Sequence, residues 1–114
     1  MHVLQVVTTV DALEVARRLA HALVERRVAA CCQIVGPIES IYRWKDAIET
    51  AQEWQLVIKT RSSQWDALQA IVRELHPYET PELLATEVAL GHSAYLDWVR
   101  DTTGPIISAE TYDI

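Results

Sequence analysis

VAACCQIVGPIESIYRW, residues 28–44, reads as one long β-strand interrupted once. Val28 to Val35 is an apolar run of the length and composition of a buried strand. Ile38 to Trp44 resumes the pattern with β-forming residues in alternation. Between them Gly36-Pro37 predicts a bulge or bend, because proline cannot donate to a ladder and glycine in a strand marks an irregularity. A third strand follows from about Glu53 to Thr60. It places Trp54, Leu56 and Ile58 on one face and Gln55, Val57 and Lys59 on the other. Only the polar stretch from Lys45 to Gln52 separates the two strands, so a long hairpin is the simplest connection.

The hairpin decides the fold through what flanks it. On its N-terminal side Val3-Leu4-Gln5-Val6-Val7 is a buried strand, and Asp11-Ala12-Leu13-Glu14 has the form of a capping box. The helix after it places Ala12, Ala16, Leu19, Leu23 and Val24 on one face, with Arg17, Arg18, Glu25 and Arg26 elsewhere. On the C-terminal side Ser62-Ser63 caps a second helix carrying Trp65, Leu68, Val72 and Leu75. His76-Pro77 stops it, since the residue before proline is pushed out of the α region. Pro81 opens a last main strand, Glu82 to Val88. Gly91 breaks it, Ser93 caps a third helix with Tyr95, Leu96 and Val99, and Gly104-Pro105 ends that helix. The tail, residues 106–114, carries Ile106, Ile107, Tyr112 and Ile114 and is too apolar to be comfortable in water. The order β-α-β-β-α-β-α contains the split βαβ unit of an α+β, ferredoxin-like sandwich with an extra C-terminal helix. Two helices cover one face of such a sheet. The other face needs a cover, and the middle hairpin with Tyr42 and Trp44 suggests a second copy of the chain.

The 114 residues suit a single domain, and half of them are hydrophobic. A formal charge of −6 disfavours nucleic acid and anionic membrane as partners. No apolar run reaches the length of a spanning helix. The first residues have neither a basic start nor a small-residue cleavage site, which predicts no signal peptide. Cys31 and Cys32 are the only cysteines. Neighbours in sequence bond each other only with strain, so no disulfide framework is expected and a reducing compartment, the cytoplasm, is favoured.

Few residues carry chemistry. On a strand Cys31 and Cys32 point to opposite faces, as two small buried hydrophobes, as one thiol available to a soft metal, or as a redox switch. Lys59-Thr60-Arg61, at a strand-to-helix junction, is either a solvated basic end or a place for an anion, without a glycine-rich loop to cradle phosphate. HPYETPE, residues 76–82, is a stiff loop between prolines. His76 reads as a helix-end hydrogen bonder, a general base or a metal ligand. Glu79 reads as solvated, and Glu82 as a candidate inward carboxylate. Two ligands do not make a metal site. His2, His21 and His92 read as exposed. Trp44, Trp54, Trp65 and Trp98 suit core or subunit contact. No catalytic motif appears, so an enzyme reading would rest on His76 without a nucleophile.

RRVAACCQIVGPIESIYRWK, LVIKTRSS, HPYETPE and YLDWV, in this order, resemble the strand, loop and helix signatures of the CutA divalent-cation-tolerance family. The resemblance runs from about residue 3 to about residue 104. It implies a tight homotrimer whose hairpins exchange contacts between subunits. The trimer would be similar in architecture to PII signal-transduction proteins, which bind small effectors between subunits. It also implies tolerance of copper and other divalent metals. The positions it assigns to an inter-subunit cleft are Cys31, Tyr42, Trp44, Lys59, His76, Tyr78, Glu82 and Trp98. Metal affinity would rest on His76, Glu82 and Cys31, with Cu²⁺ or another divalent cation as ligand; a small anionic effector is the alternative occupant. Some members carry a cysteine near the end of the first strand and a second histidine before the HPY motif. Here those positions hold Thr8 and Leu75, which removes the softest ligands.

Overall fold

The computed structural model describes residues 2–105. Its elements are β1 (Val3–Val10), α1 (Leu13–Glu25), β2 (Cys31–Trp44), β3 (Ala47–Arg61), α2 (Trp65–Leu75), β4 (Leu84–Glu87) and α3 (Ser93–Thr102). The four strands form one antiparallel sheet in the order β2-β3-β1-β4. This is the ferredoxin-like arrangement expected from the element order, with β1 central because it pairs on both sides.

One face of the sheet is closed by α1 and α2. Leu4, Val6 and Val10 of β1 and Leu56 and Ile58 of β3 meet Ala16, Leu19, Leu23, Leu68, Ile71 and Val72 in a single core. Alternation on the strands and three-and-four spacing on the helices produce this layer. Val24 falls outside the buried stripe and stays 42% exposed. Among the described residues the opposite face receives only α3, whose Val99 packs on Val3 and Ala30.

The helix starts differ from the expected caps. Ala12 is the extended residue before α1, and no side chain caps it. Asp11 stands one residue too early. Ser62 and Ser63 begin a 3₁₀ turn, Ser62–Gln64, and α2 starts only at Trp65, again without a side-chain cap. The end of α2 is as expected: His76 is extended, with ψ 132°, ahead of Pro77.

β2 starts at Cys31 rather than Val28. Val28 and Ala29 donate their N–H groups to the Leu23 carbonyl and so close the end of α1. Ladder pairing takes over when Ala30 N–H reaches the Lys59 carbonyl at 2.8 Å. β3 begins at Ala47, well before Glu53. A two-residue turn, Lys45-Asp46, with φ of 49° and 66°, joins the strands directly. Residues 47–52, expected as part of a polar connection, are therefore strand, and nearly all of them are exposed in the single chain. The expected irregularity at Gly36-Pro37 is present as a register shift between Val35 and Ile38. A Cβ at Gly36 would strike the Trp54 ring, so the bulge needs glycine for closeness. β4 is shorter than the expected Glu82–Val88 because only Leu84–Glu87 pairs with β1. Residues 106–114, expected to be apolar and packed, lie outside the described residues.

The β1–β3 ladder ends at Val10 opposite Trp54. Beyond it β2 and β3 continue alone, from Ile38 opposite Glu53 to Trp44 opposite Ala47. This two-stranded ribbon projects from the domain, which measures 57 × 28 × 22 Å.

Candidate functional site

The expected site residues fall into three groups. The first is a polar corner at the ribbon root, built by the HPYETPE loop. His76 is buried because α2 ends against the last residues of β1. Its Nε2–H donates to the Thr9 carbonyl at 2.9 Å, and its Nδ1 accepts the Tyr78 backbone N–H at 3.1 Å. One neutral tautomer satisfies both bonds. Burial lowers the His76 pKa, partly opposed by the Thr9 bond and the carboxylates of Asp11 and Glu53. The Tyr78 ring lies edge-on to His76, 4.8 Å between centroids. Its hydroxyl donates to Glu53 Oε2 at 2.7 Å. Burial and the Glu53 contact raise the Tyr78 pKa, and Tyr42 adds to the rise. Glu53 itself is buried. Thr9, Asp11 and Glu53 were not among the expected site residues. The available signal was a lone acid opening an otherwise apolar strand, where a buried carboxylate needs a donor.

The second group lies on the open face under α3. Cys31 sits opposite Lys59 across the β2–β3 ladder. Its Sγ is 3.7 Å from the Tyr95 hydroxyl, and Tyr95 stacks at a tilt on Trp98, 5.7 Å between centroids. Lys59 Nζ donates to Gln33 Oε1 at 2.9 Å. Burial and the Cys31 contact raise the Tyr95 pKa. Cys32 points the other way, against the core, as the alternation predicted. Burial, then the neighbouring Cys31, pushes its thiol up to about 12. The rest of the Lys59-Thr60-Arg61 junction is committed internally: Thr60 Oγ1 donates to the Val28 carbonyl, and Arg61 to the Thr103 carbonyl.

The third group is on the ribbon. Trp44 is 55% exposed and carries Lys45 Nζ 6.0 Å from its ring centre. Tyr42, Ile41 and Ile48 are also exposed.

The three candidate metal ligands do not converge within one chain. His76 bonds at Thr9, whereas Cys31 and Lys59 align with Gln5. Four strand residues separate those levels by roughly 13 Å. Glu82 is exposed on the connection into β4, not inward as expected. Among the described residues no three His, Cys, Asp or Glu side chains form a metal-binding group. Both nitrogens of His76 are already bonded. The side chains of one protomer therefore do not fit a copper centre. Thr8 is fully buried and Leu75 packs against the core, so neither position opens to the exposed face.

An antiparallel β2-β3-β1-β4 sheet under two helices, with a third helix and a projecting ribbon, defines a ferredoxin-like α+β domain. Residues 4–102 match the family model described as CutA1 divalent ion tolerance protein. The chain belongs to this CutA family. It is 46% identical over 99 residues to the divalent-cation tolerance protein CutA of Thermus thermophilus, covering 87% of this chain and 96% of that one. It is 44% identical to the human protein CutA, covering 86% of this chain and 55% of the human one, so it spans about half the length of that relative. The solved Thermus thermophilus Cut A1 structure superposes with a TM-score of 0.88 at 45% identity, over 90% of this chain and 99% of that one. CutA1 from Oryza sativa superposes with a TM-score of 0.89 at 38% identity, over 91% and 95%. Among the described residues no helix is long and apolar enough to cross a membrane.

Proposed function

We propose that the chain acts in divalent-cation tolerance as a homotrimer whose ligand sites form between copies. The carrying observation is the ribbon: a two-stranded element with Ile41, Tyr42, Trp44 and Ile48 exposed. An isolated two-stranded ribbon is marginal in water, and among the described residues nothing covers these side chains, so another chain is what would bury them. The number three follows from the family resemblance. Both cysteines are free thiols, which suits a reducing, cytoplasmic setting. The divided ligand set supports the same reading, because Cys31, His76 and Glu82 could share a cation only if neighbouring copies bring them together and His76 Nδ1 gives up the Tyr78 N–H. The test is calorimetric titration of the assembled protein with Cu²⁺, beside an Ile41→Asp/Ile48→Asp variant. Binding heat that survives loss of assembly would refute shared sites. No heat in the assembled protein would refute the metal role.

A second reading, a sensor of a small anionic effector, is favoured by the open-face group. There Lys59 supplies a cation beside the Tyr95–Trp98 ring pair. Thermal stabilisation by an anionic metabolite, lost in Lys59→Gln, supports it. Unchanged melting across such metabolites counts against it.

A further inference from the structure

The ribbon leaves the domain at a bend. Val35 pairs with Gln55 and Ile38 with Glu53, so Gly36 and Pro37 together face the single residue Trp54. Two residues against one bend a strand and sharpen its twist. The ladder from β1 stops at the same level, with Val10 opposite Trp54. Glu53 is therefore the first residue of β3 without β1 beside it. A two-stranded ribbon has no third strand to hold its angle, and the lever is long. From Ile38 to Trp44, six steps of about 3.3 Å reach about 20 Å, so a swing of about 10° at the bend carries Trp44 by about 3.5 Å.

Two contacts meet at the bend. On one side the Trp54 ring lies against Gly36, with no room for a Cβ between them, and Trp54 packs on the core. On the other side the loop after α2 takes the place of a strand. β4 pairs with β1 from Leu4 to Val7. Two residues further along, His76 Nε2–H holds the Thr9 carbonyl. His76 Nδ1 holds the Tyr78 N–H, and the Tyr78 hydroxyl reaches Glu53 Oε2 at 2.7 Å. These bonds run in series from the end of β1 to the first ribbon pair. Glu53 is buried, whereas every residue from Ile41 to Thr50 is exposed. A buried carboxylate that loses its donor is costly, so a swing that breaks the bond is resisted.

We propose that Tyr78 and Glu53 are positioning residues: their hydrogen bond fixes the direction in which the ribbon leaves the domain, and so the geometry in which copies meet. The direction is a property of the single chain. Its effect on assembly rests on the ribbon-borne contact proposed above. In this role the Tyr78 hydroxyl acts within its own chain rather than on a ligand.

Residual dipolar couplings of backbone amides test the direction in the non-assembling variant Ile41→Asp/Ile48→Asp. Ribbon and domain amides are expected to fit one alignment frame. Adding Tyr78→Phe or Glu53→Ala is expected to take the ribbon couplings out of that frame, reduced by about a third or more. Couplings of β1 should stay unchanged and show that the fold is intact. Adding Glu53→Gln, which keeps an acceptor for the hydroxyl, is expected to leave the ribbon in the frame. Ribbon couplings that hold in both Tyr78→Phe and Glu53→Ala overturn the proposal. So does a loss in Glu53→Gln as large as in Glu53→Ala. With the native ribbon, Tyr78→Phe is expected to raise the concentration at which the assembly dissociates by about tenfold or more. An unchanged value overturns the link to assembly. A single-copy mass for the unaltered protein would refute the assembly itself, and the couplings would still decide whether the bond sets the direction of the ribbon.

Discussion

The β2–β3 hairpin is two structures in one. In its root, Cys32, Ile34, Leu56 and Ile58 lie against α1 and α2, and β1 extends the ladder. In its ribbon, every residue from Ile41 to Thr50 is exposed, and among the described residues no third strand and no helix lies over it. The same backbone pairing runs through both. The difference is burial: the root is buried by this chain, whereas no layer of the described residues buries the ribbon. The Tyr78–Glu53 bond sits at the boundary, tying the loop after α2 to the first ribbon pair.

The contrast can be broken most directly at the ribbon. Ile41→Asp with Ile48→Asp is expected to abolish assembly, read as a change of mass in sedimentation, while circular dichroism retains the helices. Loss of helix signal instead would place the ribbon inside the folding unit of the single chain. At the root, Leu56→Ala should cost about 2–5 kcal/mol in denaturant unfolding, because its side chain is fully buried and leaves a cavity. A cost below about 1 kcal/mol would mean the root is not the rigid half.

At the boundary, Tyr78→Phe removes the hydroxyl that satisfies a buried carboxylate. The expected loss is about 1.5–3 kcal/mol, and Glu53→Gln alongside should recover part of it by removing the charge. His76 gives the boundary a pH dependence. Its pKa in the fold lies below its ordinary value of about 6.5, so the fold prefers neutral imidazole. Its contribution is complete above that ordinary value and is lost as pH falls from about 6.5 towards the lowered folded value. Melting temperature should therefore be level above about pH 7 and decline below it, and His76→Gln should flatten this decline. The smallest effect belongs to the core. Thr8 Oγ1 is buried without a hydrogen-bond partner, so Thr8→Val should be neutral or stabilise by up to about 1 kcal/mol. Destabilisation would mean the hydroxyl has a bound water.

The sequence was most legible where periodicity and chain geometry act alone. The alternation in β3, the stripe of α2, its stop at His76-Pro77 and the irregularity at Gly36-Pro37 all followed from local rules. So did the opposite directions of Cys31 and Cys32. Three features were hidden. The turn at Lys45-Asp46 lacks glycine, and residues 47–52 pack under no layer of the described residues, so no hydrophobic alternation marked them as strand. The helix caps failed because Asp11 and Ser62 only resemble capping residues until the backbone sets where each helix begins. The polar corner was half visible: HPYETPE announced itself, but Glu53 and the Thr9 carbonyl belong to other strands. Only the tertiary fold brings them to His76 and Tyr78. Glu82 was misread for the same reason, since β4 starts two residues later and leaves it in solvent.

The central claim, that the ribbon is covered by other copies of this chain, is tested most directly by native mass measurement at micromolar concentration and neutral pH. The account predicts a species of three copies of the 12.9 kDa chain, collapsing to one copy in Ile41→Asp/Ile48→Asp. A single-copy mass for the unaltered protein would contradict it.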